Sequence, residues 1–136
     1  MSKQVYSIVI CDSQYLIVEA LKTIIDRWPE YAVQGYANNI RDLNEKLQTL
    51  KPDFLITDFR TIERVAFETV GNIMKEFTDL HTIILTNQLN RNELNELNRI
   101  GIKSILYKTA TDDDIKAALD AALKNKKYYS DEVLDV

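Results

Sequence analysis

The sequence predicts an α/β domain: a parallel, doubly wound sheet with helices on both faces. Three observations carry this. Short apolar runs alternate with longer amphipathic runs along all 136 residues. Most of the short runs are continuously apolar, as strands covered on both faces are. Four of them stop on a polar residue: Asp12, Asp58, Thr86 and Lys108. Parallel strands bring such ends to one edge of the sheet, and ligands bind outside the carboxyl ends of strands in such folds.

Each element follows from its own residues. Residues 5–11 are apolar and β-branched, too short for a helix, and are expected to form a buried strand ending at Asp12. Ser13 is expected to cap the next helix, with Leu16, Ile17, Ala20, Leu21, Ile24 and Ile25 on its inward face up to Trp28-Pro29. Residues 31–37 form a second, weaker strand. Residues 39–50 form a helix with Ile40, Leu43, Leu47 and Leu50 on one face, stopped by Lys51-Pro52. A third strand, 54–57, ends at Asp58, and a helix is expected over 63–77. A fourth strand, 82–85, ends at Thr86. Residues 90–100 form a helix with Leu94, Leu97 and Ile100 inward, ended by Gly101. A fifth strand, 102–107, leads to Lys108. Thr111 caps the last helix, 112–123, which has acids in its first turn. Lys124-Asn125-Lys126-Lys127 then matches the helix dipole rather than forming a nucleic-acid patch.

Composition excludes several roles. There are 17 Lys+Arg against 21 Asp+Glu, a net charge of -4, which argues against this chain gripping nucleic acid by its phosphates. No apolar run approaches a membrane span. The first residues lack the apolar core of a signal peptide, and one cysteine allows no internal disulfide, so a cytoplasmic setting is expected. Cys11 is expected to be a small buried hydrophobe and His81 a surface loop residue, both outside the site. No Gly-rich phosphate loop follows the first strand, which speaks against a nucleotide-binding enzyme.

With these residues in view, the chain resembles the receiver domain of two-component response regulators, a flavodoxin-like doubly wound fold with a five-stranded parallel sheet. The marks are Asp12, the run Pro52-Asp53-Phe54-Leu55-Ile56-Thr57-Asp58, the run Ile83-Ile84-Leu85-Thr86, and the run from Gly101 to Lys108. The segment from Tyr128 to Val133 resembles the end of receivers of the NarL/LuxR subfamily. On that resemblance, residues 4–125 are the receiver, and 126–136 are a tail or the start of a linker to an absent helix-turn-helix domain. The resemblance implies that Asp58 accepts phosphate, that Thr86 and Lys108 bind the phosphoryl group, and that Asp12, Asp58 and the Arg60 carbonyl hold Mg²⁺. It implies no enzyme activity beyond self-phosphorylation and self-dephosphorylation on Asp58. A sensor histidine kinase is the expected partner, with a homodimer also possible, and control of transcription through a linked DNA-binding domain the expected output.

Several positions depart from the family pattern. Ser13 stands where a second acid is usual, so Mg²⁺ binding is expected to be weakened. Neither the Pro nor the Gly common after the acceptor is present after Asp58. Arg60 is expected to pair with Asp58 or Asp12 and supply part of the missing charge. Asn87 replaces a small residue and is expected to narrow access to Asp58. Ile105 occupies the usual aromatic switch position. Tyr107, one before Lys108, is expected to point to the opposite face, so a Thr–Tyr switch is not expected. These replacements keep an alternative open: a phosphate-independent receiver acting as a dimerisation or docking module.

Overall fold

Strands of Ile, Val and Leu cannot leave either face in water, and here they do not. The computed structural model describes residues 4–62 and 66–136. Six strands form one sheet in the order β2-β1-β3-β4-β5-β6: β1 Tyr6–Cys11, β2 Tyr31–Ala37, β3 Phe54–Thr57, β4 His81–Thr86, β5 Ser104–Tyr107 and β6 Tyr128–Tyr129. All pairings are parallel. The helices are α1 Tyr15–Ile25, α2 Ile40–Leu50, α3 Ala66–Glu76, α4 Arg91–Arg99, α5 Asp112–Leu123 and the short α6 Asp131–Leu134. The expected start of a helix at 63 lies outside the described residues.

Alternation along the strands divides the core into two layers. Ile8 and Ile10 pack with Val18, Leu21 and Ile25 of α1 and Ile115, Ala118 and Leu119 of α5. Val9 and Cys11 face the other way, into a layer with Leu43 and Leu47 of α2, Val70 and Ile73 of α3, and Leu97 of α4. This is the doubly wound arrangement, with the sheet order reversing direction at β1/β3. The carboxyl ends of β1 and β3 therefore flank the crevice where such folds bind ligands.

The sheet has one strand more than expected. After α5 the chain turns through Asn125, with φ 56, where the Lys126 N–H bonds the Ala121 carbonyl and the Asn125 N–H bonds the Ala122 carbonyl. Those two bonds satisfy two of the free carbonyls of the helix end. Lys124, Asn125 and Lys126 thus close the end of α5 through their backbone N–H groups, while the Lys127 ammonium donates to Asn98 Oδ1 and lies over the Tyr129 ring. The chain then pairs Tyr128 and Tyr129 with Ser104 and Ile105, and α6 returns over β5 to bury Val133 completely. Two strand-like tyrosines followed by acids carry too little periodicity to announce this.

Three local expectations are corrected. Leu16 is 79% exposed and Ala20 is also exposed; the buried face of α1 is Val18, Leu21 and Ile25. Several apolar residues on that helix exceed what one face can hold, so spacing alone admits two stripes. The cap of α1 is Gln14 rather than Ser13, and no side chain caps it there. His81 is no loop residue: it opens β4, opposite Phe54, with ring centroids 5.1 Å apart. Burial holds its pKa below the ordinary histidine value, against the pull of Asp53.

Candidate functional site

The sheet register decides what meets at its carboxyl edge. Cys11 pairs with Thr57, so the next residues on each strand, Asp12 and Asp58, lie side by side. The Asp58 N–H donates to the Cys11 carbonyl at 3.2 Å, fixing the second acid against the first strand. On the other flank Thr86 pairs with Tyr107, and the Lys108 N–H donates to the Thr86 carbonyl at 2.8 Å. Asp12, Asp58, Thr86 and Lys108 therefore converge, as their strand-end positions suggest. Asp12 and Asp58 are 3% and 5% exposed, so they are desolvated.

Buried carboxylates need compensation, and each oxygen of Asp58 has it. Oδ2 accepts from the Lys108 ammonium at 2.9 Å. Oδ1 accepts the Thr86 hydroxyl at 2.7 Å and the Arg60 backbone N–H at 3.1 Å. The same ammonium lies 2.9 Å from Asp12 Oδ2 and also donates to Gln14 Oε1. An ammonium has three N–H donors, and all three are used. Burial opposes the charge on Lys108, but hydrogen bonds and field from Asp58 and Asp12 outweigh it, and its pKa stands above the ordinary lysine value.

Asp12 has a second task. Its Oδ1 accepts the Gln14 N–H at 2.8 Å, turning the chain from β1 into α1. Asp12 therefore helps organise the start of α1. Ser13 is exposed beside it. Cys11, just before, is fully buried, and desolvation pushes its thiol up to about 12. It is the inert hydrophobe expected.

Arg60 does not take the expected partners. Its backbone meets Asp58, but its guanidinium donates to Thr86 Oγ1 at 2.6 Å and to both oxygens of Glu93 at 3.0 Å. It also donates to the Gln88 carbonyl at 3.3 Å and lies over the Phe59 ring at 4.7 Å. Two residues past the acceptor, the side chain is long enough to cross Thr86 and reach α4.

Ile105 is fully buried in the layer under α4. Tyr107 does point away from Lys108, but that is the Ile105 face, because residues two apart on a strand share a side. Its hydroxyl accepts the Leu89 N–H at 3.2 Å, so a phenol does hold the loop after β4, from a different position. Asn87 is exposed and lines a cleft of about 370 Å³ with Gln88, Lys108, Thr109 and Glu132.

Sequence reasoning missed Gln14 and Glu93. Gln14 leaves no pattern. Glu93 does: Asn90-x-x-Glu93 is a capping box, and the structure makes both of its bonds. That places Glu93 in the first turn after the Thr86 loop, at the same sheet edge.

Asp12 and Asp58 aim one oxygen each at a single cation position, now held by the Lys108 ammonium. Among the described residues no group of three or more His, Cys, Asp or Glu gathers to hold a metal. Two convergent carboxylates fit a magnesium ion that keeps most of its water, but not a dedicated protein cage.

The model of the response regulator receiver domain matches residues 8–120. The response regulator protein VraR of Staphylococcus saprophyticus is 23% identical over 123 residues, covering 90% of this chain and 59% of that protein. The transcriptional regulatory protein YdfI of Bacillus subtilis is 26% identical over 127 residues, covering 93% and 59%. The chain thus spans about three-fifths of these relatives. The isolated REC domain of RcsB from Salmonella enterica serovar Typhimurium, solved with phosphomimetic BeF3-, superposes with TM-score 0.88 at 22% identity, covering 97% of this chain and 98% of that one. Its apo form gives 0.86 at 23% identity, covering 96% of each.

Proposed function

This chain belongs to the response regulator receiver domain family of two-component signalling, and from that premise we propose that Asp58 is its phosphoacceptor. The observation that carries the reading is the set of donors on Asp58: the Thr86 hydroxyl on one oxygen and the Lys108 ammonium on the other. A phosphoryl group on Asp58 would meet the same donors.

A carboxylate oxygen of Asp58 attacks phosphorus in line. An O–P bond forms. The P–N bond of a phosphohistidine, or the P–O bond of acetyl phosphate, breaks, and its electron pair leaves with the donor. Lys108 offsets charge on the phosphoryl oxygens, and the Thr86 hydroxyl turns from the carboxylate to one of them. Asp12, Asp58 and the Arg60 carbonyl would hold Mg²⁺, with Ser13 in place of a third acid weakening the site. When bound, the ion supplies further charge neutralisation to the phosphoryl group.

The donor is a sensor histidine kinase. Because the relatives are longer regulators, the output is control of transcription by a linked domain, reached through a change of protein contacts that includes a homodimer. This chain itself, at net charge -4, does not grip nucleic acid. The phosphate-independent alternative rests on Ser13, Asn87 and Ile105, and none of these disturbs the donors on Asp58.

Intact-mass spectrometry after incubation with acetyl phosphate tests the reading. One phosphate on the wild type, none on Asp58→Asn, and a yield that rises with Mg²⁺ are expected. No adduct at any Mg²⁺ concentration would return the phosphate-independent module.

A further inference from the structure

Resting on that reading, we infer that Glu93 is a positioning residue for phosphoryl acceptance: its carboxylate holds the Arg60 guanidinium on α4, and a phosphoryl group on Asp58 competes for it.

The geometry places the competition. Arg60 leaves the backbone two residues from Asp58, with its own N–H already on Asp58 Oδ1. Its guanidinium is one hydroxyl away from the same oxygen, through Thr86. The far side of the fork is spent on both oxygens of Glu93. Glu93 is held in turn, since Oε1 accepts the Asn90 N–H at 3.0 Å. The pair is only partly open to water, with side chains 35% and 23% exposed.

Charge accounting gives the direction. Among the described residues Asp12, Asp58 and Glu93 face Lys108 and Arg60, three anions against two cations. A phosphoryl group brings a charge of about -2 and strong acceptor oxygens. Lys108 divides its N–H donors among Asp58, Asp12 and Gln14, so it offsets only part of that charge. Among the described residues Arg60 is the remaining cation within reach, and a planar fork suits phosphate as well as carboxylate. The ion pair with Glu93 therefore weakens each time phosphate arrives, and α4 loses its tether to the loop after β3. The cost of that exchange falls on the acceptance step.

Glu93→Gln is the discriminating variant. An amide oxygen can still cap α4 at Asn90, but the charge that holds Arg60 is gone. Initial phosphorylation rates at varied acetyl phosphate, read by intact mass, would be compared for wild type, Glu93→Gln, Arg60→Ala and the double variant. The half-saturating donor concentration should fall about two- to fivefold in Glu93→Gln, the worth of a partly exposed ion pair. It should rise in Arg60→Ala, and Glu93→Gln should add nothing on that background. A structural effect on α4 alone would shift melting temperature and persist without Arg60. Phosphate on wild type with no shift in Glu93→Gln, or the same shift with and without Arg60, overturns the inference and leaves the phosphoacceptor reading intact. No phosphate on any of the four proteins overturns both.

Discussion

Lys108 is where one side chain matters most. Its ammonium is what allows two carboxylates to share a dry edge, with 8% of its side chain exposed. Lys108→Ala should therefore cost about 3–5 kcal/mol of unfolding free energy near neutral pH, because Asp12 and Asp58 are left facing each other. Its raised pKa sets the sign with pH: the contribution is complete below the ordinary lysine pKa and is lost as pH rises through the higher folded value. Denaturant titrations should show wild type and variant converging in strong alkali. Ser13→Asp would restore a third acid and should lower the Mg²⁺ concentration needed for half-maximal phosphorylation several-fold. Cys11 should resist thiol reagents at pH 8 until the chain unfolds, since it is buried and protonated. Asp12, Asp58, Thr86 and Lys108 were legible because a strand end leaves a side chain little freedom of place. Gln14 and Glu93 were not, because their partners come from other elements and spacing does not encode a meeting across the sheet.

At the scale of elements, the ends matter more than the middles. α4 starts on a complete capping box and ends at Gly101, with φ 95. Asn90→Ala should cost about 1 kcal/mol. Gly101→Ala should cost about 1–2 kcal/mol, because no side chain is comfortable at that φ. Thermal or urea unfolding measures both. Five strands and the five long helices were legible from period and breakers, while the expected helix start at 63 lies outside the described residues. The inward face of α1 was not, because Leu16 and Leu21 are equally apolar and only packing separates them. Tyr107 shows the same limit: alternation set its direction, but only the loop after β4 shows what its hydroxyl holds.

For the whole molecule, the sheet order brings the chemistry to one crevice, and the last nine residues close the sheet's far edge. They are fixed by the Tyr128 N–H on the Lys103 carbonyl, the Ser130 N–H on the Ile105 carbonyl and Val133 in the core. Val133→Asp should undock this segment alone, because burying an unpaired charge costs more than leaving the segment free. Hydrogen exchange should then lose protection at Tyr128 and Ser130 and keep it in β1 and β3. This closure was illegible because a two-residue strand has no period to recognise.

The claim everything else depends on is that Asp58 carries the phosphate. Borohydride reduces an acyl phosphate to an alcohol and so marks the residue that held it. After acetyl phosphate and borohydride, peptide mapping should find homoserine at position 58 and aspartate unchanged at position 12. Conversion at Asp12, or no conversion anywhere in a folded protein, would contradict the account.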